Sequence, residues 1–343
     1  KKRAENSDMV YKLIKEEVPL ENLSRFLDDL VEYSSAYAII ASKNDDTDIE
    51  YFDIKRNYQV RSLLAAIEVL YKREMITEDD CKTCFHNLRN FFFLFHSCSY
   101  TSNKTDKAIA NAAFDVYHTK SEMDFKYVIS DVFRELSKFI SSSTVDELMF
   151  TTSSMHYSLK NSAYKSNHRI VKYILYCLYM PDQRDTVLDQ SRLTIEHLLN
   201  DDGSVRNSSI YNLTLTSGEI NSNELKNRGL VEKIGILKSQ SSVIANQKLD
   251  EYLDAQGEYL EDKRKNDLKE QAISNVFKYE GSPFGYTKEM VDGYLKMKRA
   301  LQSDEELLAV LLERGMNIQA YLSNNPAMQD AYNRFLTLCG TTS

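Results

Sequence analysis

Residues 192–226 read RLTIEHLLNDDGSVRNSSIYNLTLTSGEINSNELK, and the rest of the chain is read around them. Arg192-Leu193-Thr194-Ile195-Glu196-His197 alternates apolar and polar, as a short half-buried strand does. Asn200-Asp201-Asp202-Gly203-Ser204 is a run of turn formers. Tyr211 to Thr216 alternates again, with Tyr211, Leu213 and Leu215 on one face, and Glu219 to Lys226 reads as a helix. Strand, loop, strand, short helix is a ββα unit.

The flanks on both sides are helical in pattern. Val60, Leu63, Leu64, Ile67, Leu70 and Tyr71 recur on one face of a 3.6-residue period, and Phe125, Val128, Ile129, Val132, Leu136, Phe139 and Ile140 repeat it. A further helix carries Ile170, Val171, Ile174, Leu175 and Leu178 and ends at Pro181. Helical periodicity returns from about Gln247: Asp250 to Lys278 reads as one long charged helix. Ser303 with Glu306 then opens a last helix through Leu307, Leu308, Leu311 and Leu312 to Gly315. With 10 Gly and 4 Pro in 343 residues, little turn chemistry remains for a strand-rich fold. The expected fold class is therefore mainly α. A multi-helix domain over 1–184 precedes a small ββα unit over 185–280, and a C-terminal helical extension over 281–343 follows.

Apolar runs are too short for the roughly 20 residues of a membrane span, and no signal-peptide pattern opens the chain. The five cysteines have no framework spacing, so reduced thiols and a cytoplasmic setting are expected. The first residue is Lys1, and a preceding segment is expected. A net charge of −8 excludes a body coated in basic charge but not a local phosphate-binding patch. Residues 192–248 carry seven Lys/Arg against six Asp/Glu, and Lys226, Arg228, Lys233 and Lys238 are the candidate DNA phosphate contacts.

One constellation has the makings of a working site. Glu196-His197 closes the first strand, Asn212 lies on the second, and Asn221 opens the helix. Phosphodiester cleavage needs a base to activate water and a divalent cation to offset charge on the phosphate. Imidazole titrates near neutrality, which suits His197 to the first task. Glu196 and Asn221 offer the oxygen donors that Mg²⁺ or Mn²⁺ prefers. Neighbouring strand residues face opposite ways, so Glu196 and His197 divide the labour.

Thr194 to Leu199, Tyr211 to Leu215, Asn221, Leu225-Lys226-Asn227 and Lys233, in this order and spacing, resemble the HNH-type nuclease domain of GmrSD-family restriction endonucleases. They are also similar to other ββα-metal (His-Me finger) nucleases. The helical region ending near Met180 resembles the part that precedes this nuclease, and Tyr259 to Val276, with Arg264 inside, its closing helix. The resemblance implies a metal-dependent DNA endonuclease or nickase of a bacterial anti-phage system. His197 is then the general base, Glu196 and Asn221 hold Mg²⁺ or Mn²⁺, and Asn212 secures the loop and His197. It further implies DNA as partner, bearing modified bases or phage-derived, together with an N-terminal nucleotide-hydrolysing sensor domain preceding this chain. Two departures stand out: Asn200 occupies the place of the family's Pro, and the triad ends in Asn rather than His. The first leaves room for a second expectation, a helical DNA- or partner-binding module without activity.

Cys81-Lys82-Thr83-Cys84, with His86, His96 and Cys98 nearby, invites a zinc reading. Thr77 with Asp79 and Asp80 reads instead as a helix start, after which Cys84, Leu88, Phe91, Phe92 and Phe95 follow core spacing. Tyr173, Tyr176 and Tyr179 read as helix packing, and His118, His156 and His168 show no partner pattern.

Overall fold

The computed structural model describes residues 12, 14–16, 18–43, 46–183, 188–226 and 228–300. The helix expected from Ser303 to Gly315, most of the 281–343 extension, Asn227, Cys339 and the boundary at 184/185 lie outside or at the edge of them. Within the described residues the chain is mainly helical, with a two-stranded sheet.

The helical part runs α1 (Leu23–Ser42), α2 (Thr47–Ile54), α3 (Arg61–Lys72), α4 (Glu78–Ser97), α5 (Asp106–Tyr117), α6 (Glu122–Ser137), α7 (Ser142–Leu148) and α8 (His168–Tyr179). Helix α3 is the hub, packed between α1 and α5. Its apolar stripe from Leu63 to Leu70 is fully buried, whereas Tyr71, expected on the same stripe, is exposed. Helix α4 begins as its sequence suggests. The Thr77 hydroxyl accepts from Asp80 N while the Asp80 side chain accepts from Thr77 N, a capping box that satisfies two otherwise orphaned donors. Cys81 and Cys84 then face the core as free thiols, and burial pushes the Cys81 thiol up to about 12. A protonated, buried thiol packs as a small apolar group rather than as a zinc ligand.

The second part begins with the antiparallel hairpin of β1 (Leu193–His197) and β2 (Leu213–Ser217), in register from Leu193 opposite Ser217 to His197 opposite Leu213. Between the strands lies the short turn α9 (Val205–Ser208), and after them α10 (Gly218–Asn223), α11 (Leu230–Gln240), α12 (Glu261–Gln271) and α13 (Lys288–Ala300). Helices α8 and α10 each touch both strands. The single long helix expected over Asp250–Lys278 is interrupted. Residues 244–252 form a 3₁₀ stretch, and the chain turns back so that Leu253 pairs with Tyr259. Gly257 takes φ +81°, a left-handed conformation no helix interior offers, and the Asp254 carboxylate caps the turn from Gln256 N and Glu258 N. Local turn chemistry overrides the helical charge pattern there.

One buried cluster runs from Ile40 through the phenylalanines of α4 to Ile195, Leu213, Leu215 and Phe277, so helical part and hairpin share a core. A smaller cluster of Leu198, Leu225, Ile234, Leu237 and Leu249 fills the space between the hairpin and α11. The tyrosines of α8 serve packing and ties: Tyr173 donates to Thr47 O, and Tyr179 pairs with Thr214 Oγ1.

Burial also sets a pH dependence. His96, in the last turn of α4, lies 2.9 Å from the Tyr51 hydroxyl, and burial, with the Lys55 charge adding to it, pushes its pKa down from 6.5 to about 3. Between these values the unfolded chain takes up a proton that the folded chain refuses, so stability falls as pH falls below 6.5. Urea melts should show His96 costing about 2 kcal/mol between pH 7.5 and 5. The His96→Gln protein should have a shallower slope over that range, and parallel slopes would remove His96 as the cause.

Candidate active site

His197 is the last residue of β1 and shares a strand face with Ile195, while Glu196 shares the other with Thr194. The ring is buried, and its Nε2 lies 3.0 Å from the backbone carbonyl of Tyr157. A carbonyl oxygen carries no proton, so Nε2 is the N–H and donates. In the neutral ring the lone pair is then on Nδ1, which has no hydrogen-bond partner among the described residues. Burial holds the His197 pKa below its ordinary value, against the opposing influence of the Tyr157 carbonyl, Asp201 and Glu196. At pH 7 the ring is neutral, with a fixed tautomer and an available base nitrogen.

Asn212 sits in a 3₁₀ turn (Ile210–Asn212) at the mouth of β2 rather than within the strand where its pattern placed it. Its amide is buried and fully used. Oδ1 accepts from Leu199 N at 2.8 Å, and Nδ2 donates to Leu199 O at 3.0 Å and Asn207 O at 2.7 Å. One side chain thereby closes the loop that leaves His197. Asn200 is held by Asn207 Nδ2 on its carbonyl.

Asp201 was legible only as a turn former. Burial works against its charge, but donors from Ser158 Oγ, Gly203 N and Leu159 N, together with the His197 charge, hold its carboxyl below the usual range. It stays ionised and favours a proton on His197. Gly203 supplies the φ of +81° that closes this turn.

The two residues expected to donate to a metal are less free. Glu196 Oε1 is bound by Lys233 Nζ at 2.5 Å, and the same ammonium donates to His197 O at 2.7 Å. Both side chains are buried. Asn221 Nδ2 donates to Ile195 O, leaving Oδ1 without a partner among the described residues. No group of three or more His, Cys, Asp or Glu gathers among the described residues. One carboxylate and one amide oxygen still suit Mg²⁺ or Mn²⁺, which keeps several waters and takes oxygens from a bound phosphate.

The expected phosphate contacts fare differently. Lys226 is exposed with no ion-pair partner among the described residues. Arg228 pairs with Glu232, Lys238 pairs with Asp250, and Lys233 is inside, reachable by a phosphate only if Glu196 yields. A hollow beside the His197 loop is lined by residues including Leu199, Arg206, Leu230 and Tyr259, about 480 Å³ in volume. A larger cleft of about 600 Å³ lies apart from His197, between α2, α4 and residues 275–283. No protein-family profile, curated protein or solved structure matches this chain.

Asn212→Ala would leave Leu199 N–H and the Leu199 and Asn207 carbonyls without their partner, at a cost of about 2–3 kcal/mol. Amide exchange at Leu199 should accelerate by more than that of the β2 amides. Uniform acceleration would mean that Asn212 supports the whole fold rather than this loop.

Proposed function

We propose that this chain is the cutting part of a DNA-restriction enzyme of the HNH type, a bacterial cytoplasmic nuclease that hydrolyses phosphodiester bonds. The observation that carries the reading is the Nε2–H of His197 donating to the Tyr157 carbonyl. It fixes the tautomer of a buried, neutral imidazole and presents Nδ1 as a base, beside a loop that Asn212 holds closed. In this reading Nδ1 takes a proton from water as the water oxygen bonds to phosphorus and the P–O bond to one flanking sugar breaks. Asp201 stabilises the imidazolium that results. Glu196 and Asn221 would hold a divalent cation, which when bound supplies Lewis-acid stabilisation of the charge on the phosphate. The preceding NTPase or sensor domain that the resemblance implies would choose the DNA, and modified or phage DNA is the proposed substrate.

A second reading rests on the Lys233–Glu196 pair. An ammonium already compensates the carboxylate, as a cation would, and a chain that keeps this pair closed binds DNA or a partner without cutting. Calorimetric titration with Mn²⁺ separates the two: heat that disappears in Glu196→Gln supports the nuclease, and its absence with DNA present supports the inactive module.

Purified protein with Mg²⁺ or Mn²⁺ should nick supercoiled plasmid, and His197→Ala should slow nicking by at least about 100-fold. The base must be unprotonated and its pKa is held down. The acid limb of the rate profile should therefore fall below pH 6.5, with activity lost only as pH drops through that lower value. Equal nicking by His197→Ala would sink the assignment.

A further inference from the structure

From Leu148 to Pro181 the chain contains no Asp or Glu, yet it carries Lys160, Lys165, Arg169 and Lys172. In a protein of net charge −8 this is an uncompensated stretch, and the fold brings it to the candidate base. Tyr157, whose carbonyl holds His197, lies within it, and its ring packs near those of His197 and His168, with centroids at 5.9 and 5.1 Å. The loop beyond is stapled to the turn that follows His197. Asp201 accepts from Ser158 Oγ, Leu159 N and Lys160 N, and Asn161 Nδ2 donates to Gly203 O at 2.9 Å. Lys160 and Lys165 are exposed and have no ion-pair partner among the described residues. Arg169 is also exposed but is paired with Glu50 at 3.6 Å.

We infer that residues 159–169 form the phosphate-binding lip of the site, with Lys160 and Lys165 contacting the backbone of duplex DNA. Three physical points converge. Two free ammonium groups in an acid-free stretch give a local positive field on an acidic body. Of the two carboxylates on the turn that faces them, Asp201 is held by backbone and hydroxyl donors and Asp202 accepts from Ser204 N, and among the described residues neither is ion-paired with Lys160 or Lys165. The spacing also fits. Lys160 is three residues from Tyr157, at most about 11 Å along the chain. Each DNA strand carries a charge about every 3.4 Å of axis, so phosphates flanking one held at His197 fall within reach of this loop. The lip thus replaces Arg228, Lys233 and Lys238, whose charges are paired within the protein.

This inference rests on the nuclease reading for its geometry, but its test reads binding rather than cutting. A short labelled duplex is titrated by fluorescence anisotropy against the full chain carrying His197→Ala, so that the DNA stays intact, over about 50 to 200 mM salt. Adding Lys160→Gln and Lys165→Gln should reduce the slope of log affinity against log salt by about two and weaken binding at least about tenfold near 0.1 M. Lys107→Gln with Lys120→Gln, the same charge loss near either end of α5, should leave both unchanged. Melting curves of the two double variants should coincide, since all four side chains are exposed. Equal slopes and affinities in both overturn the proposal and leave the lip to an acidic protein partner; no binding even at low salt also overturns it. If the lysines govern binding while His197-intact protein fails to nick plasmid, the lip stands and the nuclease reading falls. If His197-intact protein nicks plasmid while the lysine variant binds normally, the lip falls and the nuclease reading stands.

Discussion

A peptide carbonyl can only accept a hydrogen bond, and at Tyr157 that limitation is a source of order. Tyr157 belongs to the long connection between α7 and α8, and His197 to the end of β1, forty residues on. Their bond requires the helical layer and the hairpin to be docked before the imidazole has a defined tautomer. The same connection is tied a second time, where His156 pairs with Ser209 and Tyr157 N donates to Ser208 O. The ring therefore has no freedom to rotate and present Nε2 instead. An imidazole positioned by a backbone group keeps that contact through side-chain substitution around it, provided the two parts stay docked.

Docking in turn leans on a buried guanidinium. Arg264 of α12 is almost completely buried and donates to the Tyr179 hydroxyl and to Leu213 O. Among the described residues no carboxylate pairs with it; the partners are dipoles and the face of the Tyr252 ring at 5.2 Å. Such a group is costly to desolvate unless its donors are used. It holds together three elements that are distant in sequence: the end of α8, the start of β2 and the closing helix. The Leu213 carbonyl that it grips belongs to the residue after Asn212, so the clamp on the His197 loop and the closure of the domain meet at adjacent residues.

How much of this was legible depended on whether the information was local. The hairpin was, because Leu193, Ile195, Leu213 and Leu215 alternate as a strand must and Asp201-Asp202-Gly203 can hardly be anything but a turn. The start of α4 was, because Thr77 and Asp80 carry a reciprocal cap within four residues. Asn212 could be named by its resemblance but was placed on a strand, since nothing local distinguishes a strand residue from a 3₁₀ turn one residue before it. Lys233 read as a candidate phosphate contact alongside Lys226, Arg228 and Lys238. Its burial follows from α11 packing on Leu198 and Leu225, a tertiary fact with no signature in its own neighbourhood. Arg228 and Lys238 lost their free charge to Glu232 at i+4, which periodicity does show, and to Asp250 across a loop, which it does not.

The acid-free run from Leu148 to Pro181 was equally visible as letters but had no meaning until the fold put it next to His197. Charge counted along the chain averages over surfaces that face different ways, so the near balance in residues 192–248 conceals that most of those cations are paired internally. Counted by what each charge touches, the balance moves upstream. An acidic protein that must meet a polyanion gains most from a small field placed where the phosphate is to be held, because screening confines such fields to about 10 Å. Lys160 and Lys165 lie on the loop stapled to the turn after His197, and Asp201 in that turn is turned inward upon donors. Phosphate recognition and proton transfer would then share one structural support, the Tyr157–Asn161 segment, which positions the base with its carbonyl and presents cations from the loop that follows.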